Sequence, residues 1–184
     1  NLLEFKALDY FVHNAGSPDG VIDGGVVVFA GGNEAAPAAS YPAAYPGFVS
    51  VAATAADYTP AVYTNYGTGT TISAPGGDQD YYYEYGEGVN AGALGCVLST
   101  LPKTVTGEDP SNPLVGYGYM EGTSMACPHV SGVVALGISY AAKLRKHFKA
   151  EEIRDLLHNT TRKIEPYWDL DTPKQYYKYI VDLD

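Results

Sequence analysis

Residues 122–130, which read Gly-Thr-Ser-Met-Ala-Cys-Pro-His-Val, constrain this chain more than any other stretch. They place the hydroxyl of Ser124 just after a glycine and at the start of an apolar segment with helical spacing. The first N–H groups of a helix have no internal partner, so they can stabilise the negative oxygen formed during acyl transfer. Ser124 is therefore a candidate nucleophile, and Gly122 leaves room for a substrate. A serine that only caps a helix is the alternative interpretation.

The remaining hydrophobic pattern predicts helices alternating with short buried strands. Continuous apolar runs of this length, bounded by glycine and proline, are typical of strands buried on both faces. The expected helices cover residues 2–13, the segment after Ser124 and residues 150–159, and the expected strands cover residues 26–30, 48–53, 71–74 and 96–101. This alternation predicts an α/β fold with a parallel sheet.

Composition limits the classes of function. The 184 residues suffice for one domain with a sizeable core, and 46% of them are hydrophobic. The net charge of −10 argues against a nucleic-acid partner, which requires a basic surface. No fully apolar run approaches the ~20 residues that span a bilayer, so no membrane span is expected. Two cysteines, Cys96 and Cys127, are too few for a disulfide scaffold and are expected to be buried thiols.

An acidic, glycine- and tyrosine-rich segment at residues 77–95 looks like an inserted loop. Its carboxylates are of the type that binds Ca²⁺, but their spacing matches no defined calcium loop. A solvated loop is the preferred interpretation, so no metal and no other cofactor are expected. The carboxylates concerned are Asp78, Asp80, Glu84 and Glu87.

The stretch at residues 122–130 resembles the nucleophile motif of the subtilisin-like serine proteases, the subtilases. Three further segments resemble that family in the same order along the chain. They are Val-Val-Val-Phe-Ala-Gly-Gly-Asn-Glu at residues 26–34, Tyr-Pro-Ala-Ala-Tyr-Pro at residues 41–46 with the strand after it, and Ile-Ser-Ala-Pro-Gly at residues 72–76. The resemblance implies a doubly wound parallel sheet, and it implies that Pro42 follows a cis peptide bond.

The resemblance also implies roles for individual residues. Ser124 corresponds to the nucleophile, and Asn33 corresponds to the side chain that, with the backbone N–H of Ser124, binds the oxyanion. Small residues at the end of the strand before Asn33 correspond to one wall of the pocket for the residue before the cleaved bond. The implied substrate-binding residues are Ala30, Gly31, Gly32, Gly122 and Thr123.

Two parts of the family's catalytic triad have no counterpart in this sequence. In subtilases the aspartate and the histidine both precede the serine, but neither an Asp-x-Gly strand end nor a His-Gly-Thr segment is found here. His129 follows Ser124 on the same helix and is expected to point away from it. We therefore expect the chain to be the C-terminal portion of a subtilase catalytic domain that lacks its N-terminal part and is inactive by itself. An incomplete sheet would expose an apolar edge and face, which favours self-association, a strand swap or an N-terminal segment of the same protein as partner.

Three functions remain open at this point. The first is a portion of a serine endopeptidase acting on peptides or proteins, which by family habit would be secreted or attached to the cell envelope. The second is a pseudoprotease or protein-binding module that keeps the subtilase frame without the triad. The third is an unrelated α/β binding protein in which Ser124 only caps a helix.

Overall fold

The computed structural model describes residues 2–16, 20–79, 95–107, 111 and 115–164. The chain forms, in order, α1 (Leu2–Asn14), β1 (Ile22–Asp23), β2 (Val28–Ala30), β3 (Val49–Thr54), β4 (Ile72–Pro75), β5 (Val97–Thr100), α2 (Lys103–Thr106), β6 (Tyr117–Met120), α3 (Thr123–Lys143), β7 (Phe148–Lys149) and α4 (Ala150–Thr160).

The centre of the fold is a parallel three-stranded sheet in the order β2-β3-β4. Every residue of β3 is buried, as expected for a continuous apolar strand between two neighbours. Val49, Val51 and Ala53 point toward α3, where they pack against Ala126 and Val130 in the main core cluster. Burying a valine side chain stabilises the fold by about 1.5–3 kcal/mol, so this contact fixes α3 firmly on the sheet.

The expected α/β fold with a parallel sheet is confirmed. The chain also forms two smaller sheets of two strands each. Strands β5 and β6 pair antiparallel, and β1 pairs with β7 in a parallel ladder of two residues. The antiparallel pair forms because the chain reverses between Thr100 and Tyr117 and returns beside the strand it has just left.

The predicted helices are confirmed. The helices expected at residues 2–13 and 150–159 each end within one residue of the expected position. The strand predicted at residues 26–30 shortens to β2 and is half-buried, because it lies at the edge of the three-stranded sheet. Helix α2 and strands β1, β6 and β7 were not predicted. The peptide bond between Tyr41 and Pro42 is cis, as the resemblance implied.

Helix α3 has the length and hydropathy of a membrane-spanning helix, which the sequence analysis did not expect of any segment. Among the described helices it is the one that is long and apolar enough to cross a membrane by length and composition alone. Core helices of soluble proteins meet the same criterion, and α3 packs on all three strands of the central sheet. The absence of a membrane span stays a prediction.

Candidate active site

The predicted site residues come together at one edge of the central sheet. Strands β2 and β4 end at Ala30 and Pro75, and α3 begins at Thr123 beside them. The carboxyl edge of a parallel sheet is where α/β proteins place their ligands. This edge therefore combines two loop ends with the positive end of a 21-residue helix.

Asn33 is joined to the first residue of α3 by two hydrogen bonds. Its Oδ1 accepts from the backbone N–H of Thr123 at 2.9 Å and from the Thr123 hydroxyl at 2.8 Å. Because a backbone N–H can only donate, this contact fixes which end of the Asn33 amide faces the helix. The Nδ2 group is left facing away from Thr123, and it makes no hydrogen bond to any described residue.

Gly122 leaves an open space between two N–H donors. A Cβ atom at this position would lie 3.6 Å from Asn33 Nδ2 and 3.7 Å from the backbone nitrogen of Ser124. Neither donor has an acceptor among the described residues. Gly122 has φ = 143°, a conformation that side chains other than glycine's rarely adopt. The chain thus keeps a small space flanked by two free donors, which is the arrangement that a developing oxyanion requires.

Ser124 is exposed and occupies the second helical position of α3. The N-cap residue is Gly122, which has no side chain, and the N–H of the first helical residue is capped by Asn33. Ser124 is therefore not a helix cap, which was the alternative interpretation of the motif. Its hydroxyl makes no hydrogen bond to a described residue and is free to meet a substrate.

The small residues after β2 line the approach to this space. The Gly31 N–H donates to the Val51 carbonyl at 2.9 Å, and a Cβ on Gly31 would lie only 3.1 Å from the same oxygen. The Gly32 N–H donates to the Thr123 hydroxyl at 3.2 Å. Together with Ala30, these glycines continue the edge strand toward Thr123 without any side chain larger than a methyl group.

Asn65 holds the turn that carries Asn33, and the sequence analysis missed it. This buried side chain accepts from the backbone N–H of Glu34 at 2.9 Å and of Ala36 at 3.1 Å. Its Nδ2 donates to the Glu34 carboxylate at 2.7 Å and to the Ser40 hydroxyl at 3.2 Å. No sequence spacing indicates these contacts, because the partners lie about 30 residues away along the chain. The available signal was that Asn65 is a polar residue close to Ala61 and other residues that become buried, which indicates a side chain with hydrogen-bond partners inside the fold.

None of the four histidines contacts Ser124 through a described hydrogen bond. His129 lies exposed on α3 and donates to the Met125 carbonyl at 2.8 Å through Nδ1. His13 and His147 bond to the backbone carbonyls of Asp9 and Gly20. His158 lines a separate cavity beside β4. The described residues thus hold the candidate nucleophile and the two donors, and no histidine is hydrogen-bonded to Ser124 among them.

The acidic segment at residues 77–95 was expected to be a solvated loop, and its residue Asp78 departs from that expectation. Asp78 is completely buried, and its Oδ2 accepts from the Val62 N–H at 3.1 Å, so it belongs to the interior. The other carboxylates of that loop, Asp80, Glu84 and Glu87, lie outside the described residues, and the expectation that the loop binds no metal stays a prediction. In the part of the chain that is described, no three metal-binding side chains cluster.

Neither cysteine is in a disulfide, and each is half-buried where full burial was expected. Burial raises the pKa of the Cys96 thiol, and the nearby charges of Glu121 and Asp78 raise it further. Burial also raises the pKa of the Cys127 thiol, against a smaller opposing effect of the Ser131 hydroxyl. Neither thiol has the lowered pKa of a nucleophilic cysteine.

Comparison with known proteins finds relatives over most of the chain. A family model described as the Subtilase family matches residues 7–176. The extracellular basic protease of Dichelobacter nodosus is 34% identical over 139 residues, covering 75% of this chain and 19% of that protein. Fervidolysin of Fervidobacterium pennivorans is 35% identical over 182 residues, covering 91% of this chain and 21% of that protein.

A solved structure extends the likeness to the fold. The proteases from Pseudoalteromonas arctica PAMC 21717 match with a TM-score of 0.54 and 34% identity, over 76% of this chain and 36% of that one. The chain spans about a fifth of the length of the two curated relatives.

Proposed function

The chain belongs to the subtilase family, and from this membership we propose that it forms the C-terminal portion of the catalytic domain of a serine endopeptidase. The observation that carries the proposal is the space in front of Gly122, flanked by the N–H groups of Asn33 and Ser124. The two donors lie beside the exposed hydroxyl of Ser124, which is the arrangement that acyl transfer to a serine needs.

In the proposed reaction, Ser124 Oγ attacks the carbonyl carbon of a peptide bond. The carbonyl oxygen becomes negative and accepts hydrogen bonds from Asn33 Nδ2 and from the Ser124 N–H. The Ser124 proton passes to a base from outside the described residues. The intermediate collapses to an acyl-enzyme as that base returns the proton to the leaving amine, and water, deprotonated by the same base, then releases the acyl group. Donors already held in place, as Asn33 is by Thr123, stabilise the transition state without having to reorganise.

The same geometry supports a binding path for the substrate. Ala30, Gly31 and Gly32 form a wall without large side chains, which leaves room for the side chain before the cleaved bond. Gly122 and Thr123 lie at the reacting carbonyl. We infer that the substrates are peptides or proteins. We also infer that the full-length protein acts outside the cell or at its envelope, because some of its relatives are described as extracellular proteases.

A base for Ser124 must come from outside the described residues. Serine hydroxyls are weak nucleophiles at neutral pH without one. We therefore propose that a histidine and an aspartate elsewhere in the full-length protein complete the triad and that residues 1–184 alone are inactive. The other possibility, a pseudoprotease or protein-binding module, is favoured only by the absence of a histidine contact to Ser124 among the described residues.

One experiment separates these two functions. The full-length protein is treated with a fluorophosphonate, and the modified residue is identified by mass spectrometry. Labelling at Ser124, abolished in Ser124→Ala and kept in Ser131→Ala, supports the endopeptidase. Ser131 is a matched control because it lies exposed on the same helix, with its hydroxyl bonded to the Cys127 carbonyl. Absence of labelling, together with retained peptide binding, would favour the pseudoprotease.

The outer face of α3 supports a partner for the chain. Val133, Leu136, Tyr140 and Leu144 are each at least half exposed. All of them except Leu136 line an apolar groove of about 260 Å³ toward α4. Exposed apolar surface of this kind marks an interface. We propose that a second copy or an N-terminal segment of the same protein covers it. The mass of the full-length protein in solution distinguishes a dimer from a monomer.

A further inference from the structure

The hydroxyl of Tyr63 ties the turn before Ser124 to the loop after β4. Its Oη accepts from the Gly122 N–H at 2.8 Å and donates to the Gly77 carbonyl at 2.6 Å. The Gly76 carbonyl lies 3.0 Å away and shares the donated hydrogen. One side-chain atom therefore meets the backbone of both segments, and Gly122 is 59 residues away from it along the chain.

The two segments also touch each other directly. The Gly122 N–H also donates to the Gly76 carbonyl at 3.0 Å. A Cβ on Gly76 would lie 2.4 Å from the Ala53 side chain and 2.9 Å from the Gly122 carbonyl, so the segments pack without a gap. The Gly122 N–H is thus shared between two acceptors, and the Tyr63 hydroxyl, at 2.8 Å, is the nearer of the two.

Tyr63 stays protonated over the pH range in which proteins are stable. Burial raises the pKa of its hydroxyl, and the charges of Glu121 and Asp78 raise it further against the opposing Gly122 hydrogen bond. The hydroxyl hydrogen therefore remains in place to bond with the Gly77 carbonyl while the oxygen accepts from Gly122.

We propose that Tyr63 is a positioning residue for the nucleophile turn and that it acts through the Gly122 peptide group. This inference rests on the proposed endopeptidase function. Gly122 has φ = 143°, and its conformation decides where the space between Asn33 Nδ2 and the Ser124 N–H lies. Rotation of this peptide group would move the two donors relative to the oxyanion. Phenylalanine at position 63 would fill the same volume but would leave only the 3.0 Å bond to the Gly76 carbonyl to hold that rotation.

The test compares the full-length wild-type protein with Tyr63→Phe. We expect kcat for a peptide substrate to fall about tenfold while KM changes less than twofold, because the loss is confined to the transition state. The rate of fluorophosphonate labelling of Ser124 should fall by the same factor. Hydrogen exchange of the Gly122 amide should become about tenfold faster. Equal kcat, labelling and exchange in the two proteins would overturn the proposal.

Tyr66→Phe is the matched control. Tyr66 is also half-buried, and its hydroxyl makes no hydrogen bond to the described residues. Its variant should keep wild-type kcat and exchange, and an equal loss in both variants would overturn a specific role of Tyr63. If Tyr63→Phe fails to fold, 3-fluorotyrosine at position 63 replaces it, since the ring and hydroxyl remain but the oxygen accepts more weakly. Faster Gly122 exchange then supports the proposal, and unchanged exchange rejects it.

The two proposals fail in different ways. A full-length wild-type protein that neither hydrolyses peptides nor labels at Ser124 would remove the endopeptidase function. The exchange comparison would still decide whether Tyr63 orients the Gly122 peptide group. An active wild type with an equally active Tyr63→Phe variant would remove only the role of Tyr63.

Discussion

The Oδ1 atom of Asn33 accepts a 2.9 Å hydrogen bond from the backbone N–H of Thr123, which lies 90 residues later in the chain. This contact satisfies one of the N–H groups that a helix leaves unpaired at its start. It also turns the other end of the amide, the Nδ2 donor, toward the space in front of Gly122. One side chain thus caps the helix that carries the serine and offers a donor beside it.

The two ends of the Asn33 amide can be separated by substitution. In Asn33→Asp the contact to Thr123 is kept and the donor is lost, so kcat should fall about 10²–10³-fold, the range typical for removing an oxyanion donor in proteases of this family. The melting temperature should stay within a few degrees of wild type. Asn33→Ala loses both functions, and its melting temperature should be lower than that of Asn33→Asp. Steady-state kinetics and thermal unfolding of the full-length variants provide the measurements, and an unchanged kcat in Asn33→Asp would contradict the assigned role.

Gly122→Ala should affect both activity and stability. The φ of 143° costs a side-chain residue about 1–3 kcal/mol, and the new methyl group would occupy the space between the two donors. We expect kcat to fall at least about 10²-fold. The free energy of unfolding, measured in urea, should fall by about 1–3 kcal/mol. Gly132→Ala is the control, because a Cβ there meets no atom within 4 Å and alanine favours the helix. A Gly122→Ala variant as stable and active as Gly132→Ala would refute the interpretation.

The sequence predicted those parts of the fold whose signal is local. The continuous apolar run of β3 and the motif before α3 each describe their own structure, and both were found. Strands β1 and β7 have two residues each and acquire their conformation only from each other, so no pattern could reveal them. The contacts of Asn65 and Tyr63 join residues about 30 and 59 positions apart. Such contacts exist only after the chain has folded, which is why the site could be named from its motifs while its supports could not.

Asn65→Ala should weaken the turn that carries Asn33. The N–H groups of Glu34 and Ala36 would lose their acceptor, and the Glu34 carboxylate would lose its 2.7 Å partner. Because water replaces part of these bonds, we expect a loss of about 2 kcal/mol in the free energy of unfolding. Asn14→Ala removes an asparagine bond to the Tyr10 carbonyl on an exposed helix and should cost less than about 0.5 kcal/mol. Urea unfolding of both variants makes the comparison, and equal losses would contradict a structural role for Asn65.

The two thiols should be slow to react and should make stability fall at high pH. Burial favours the protonated form of Cys96 and Cys127 in the folded state, where the pKa of both lies above the ordinary value of 9.0. Their contribution to stability is therefore complete below that value and is lost as the pH rises through the folded pKa. At pH 8 iodoacetamide should modify both thiols more slowly in the native protein than in urea, because the thiolate is the reacting form. Mass spectrometry of the alkylated protein over time measures this. Native rates equal to those in urea would show that the thiols are not shielded.

The pH dependence is tested with a Cys96→Ser, Cys127→Ser double variant, which should lose less stability than wild type between pH 8 and pH 10.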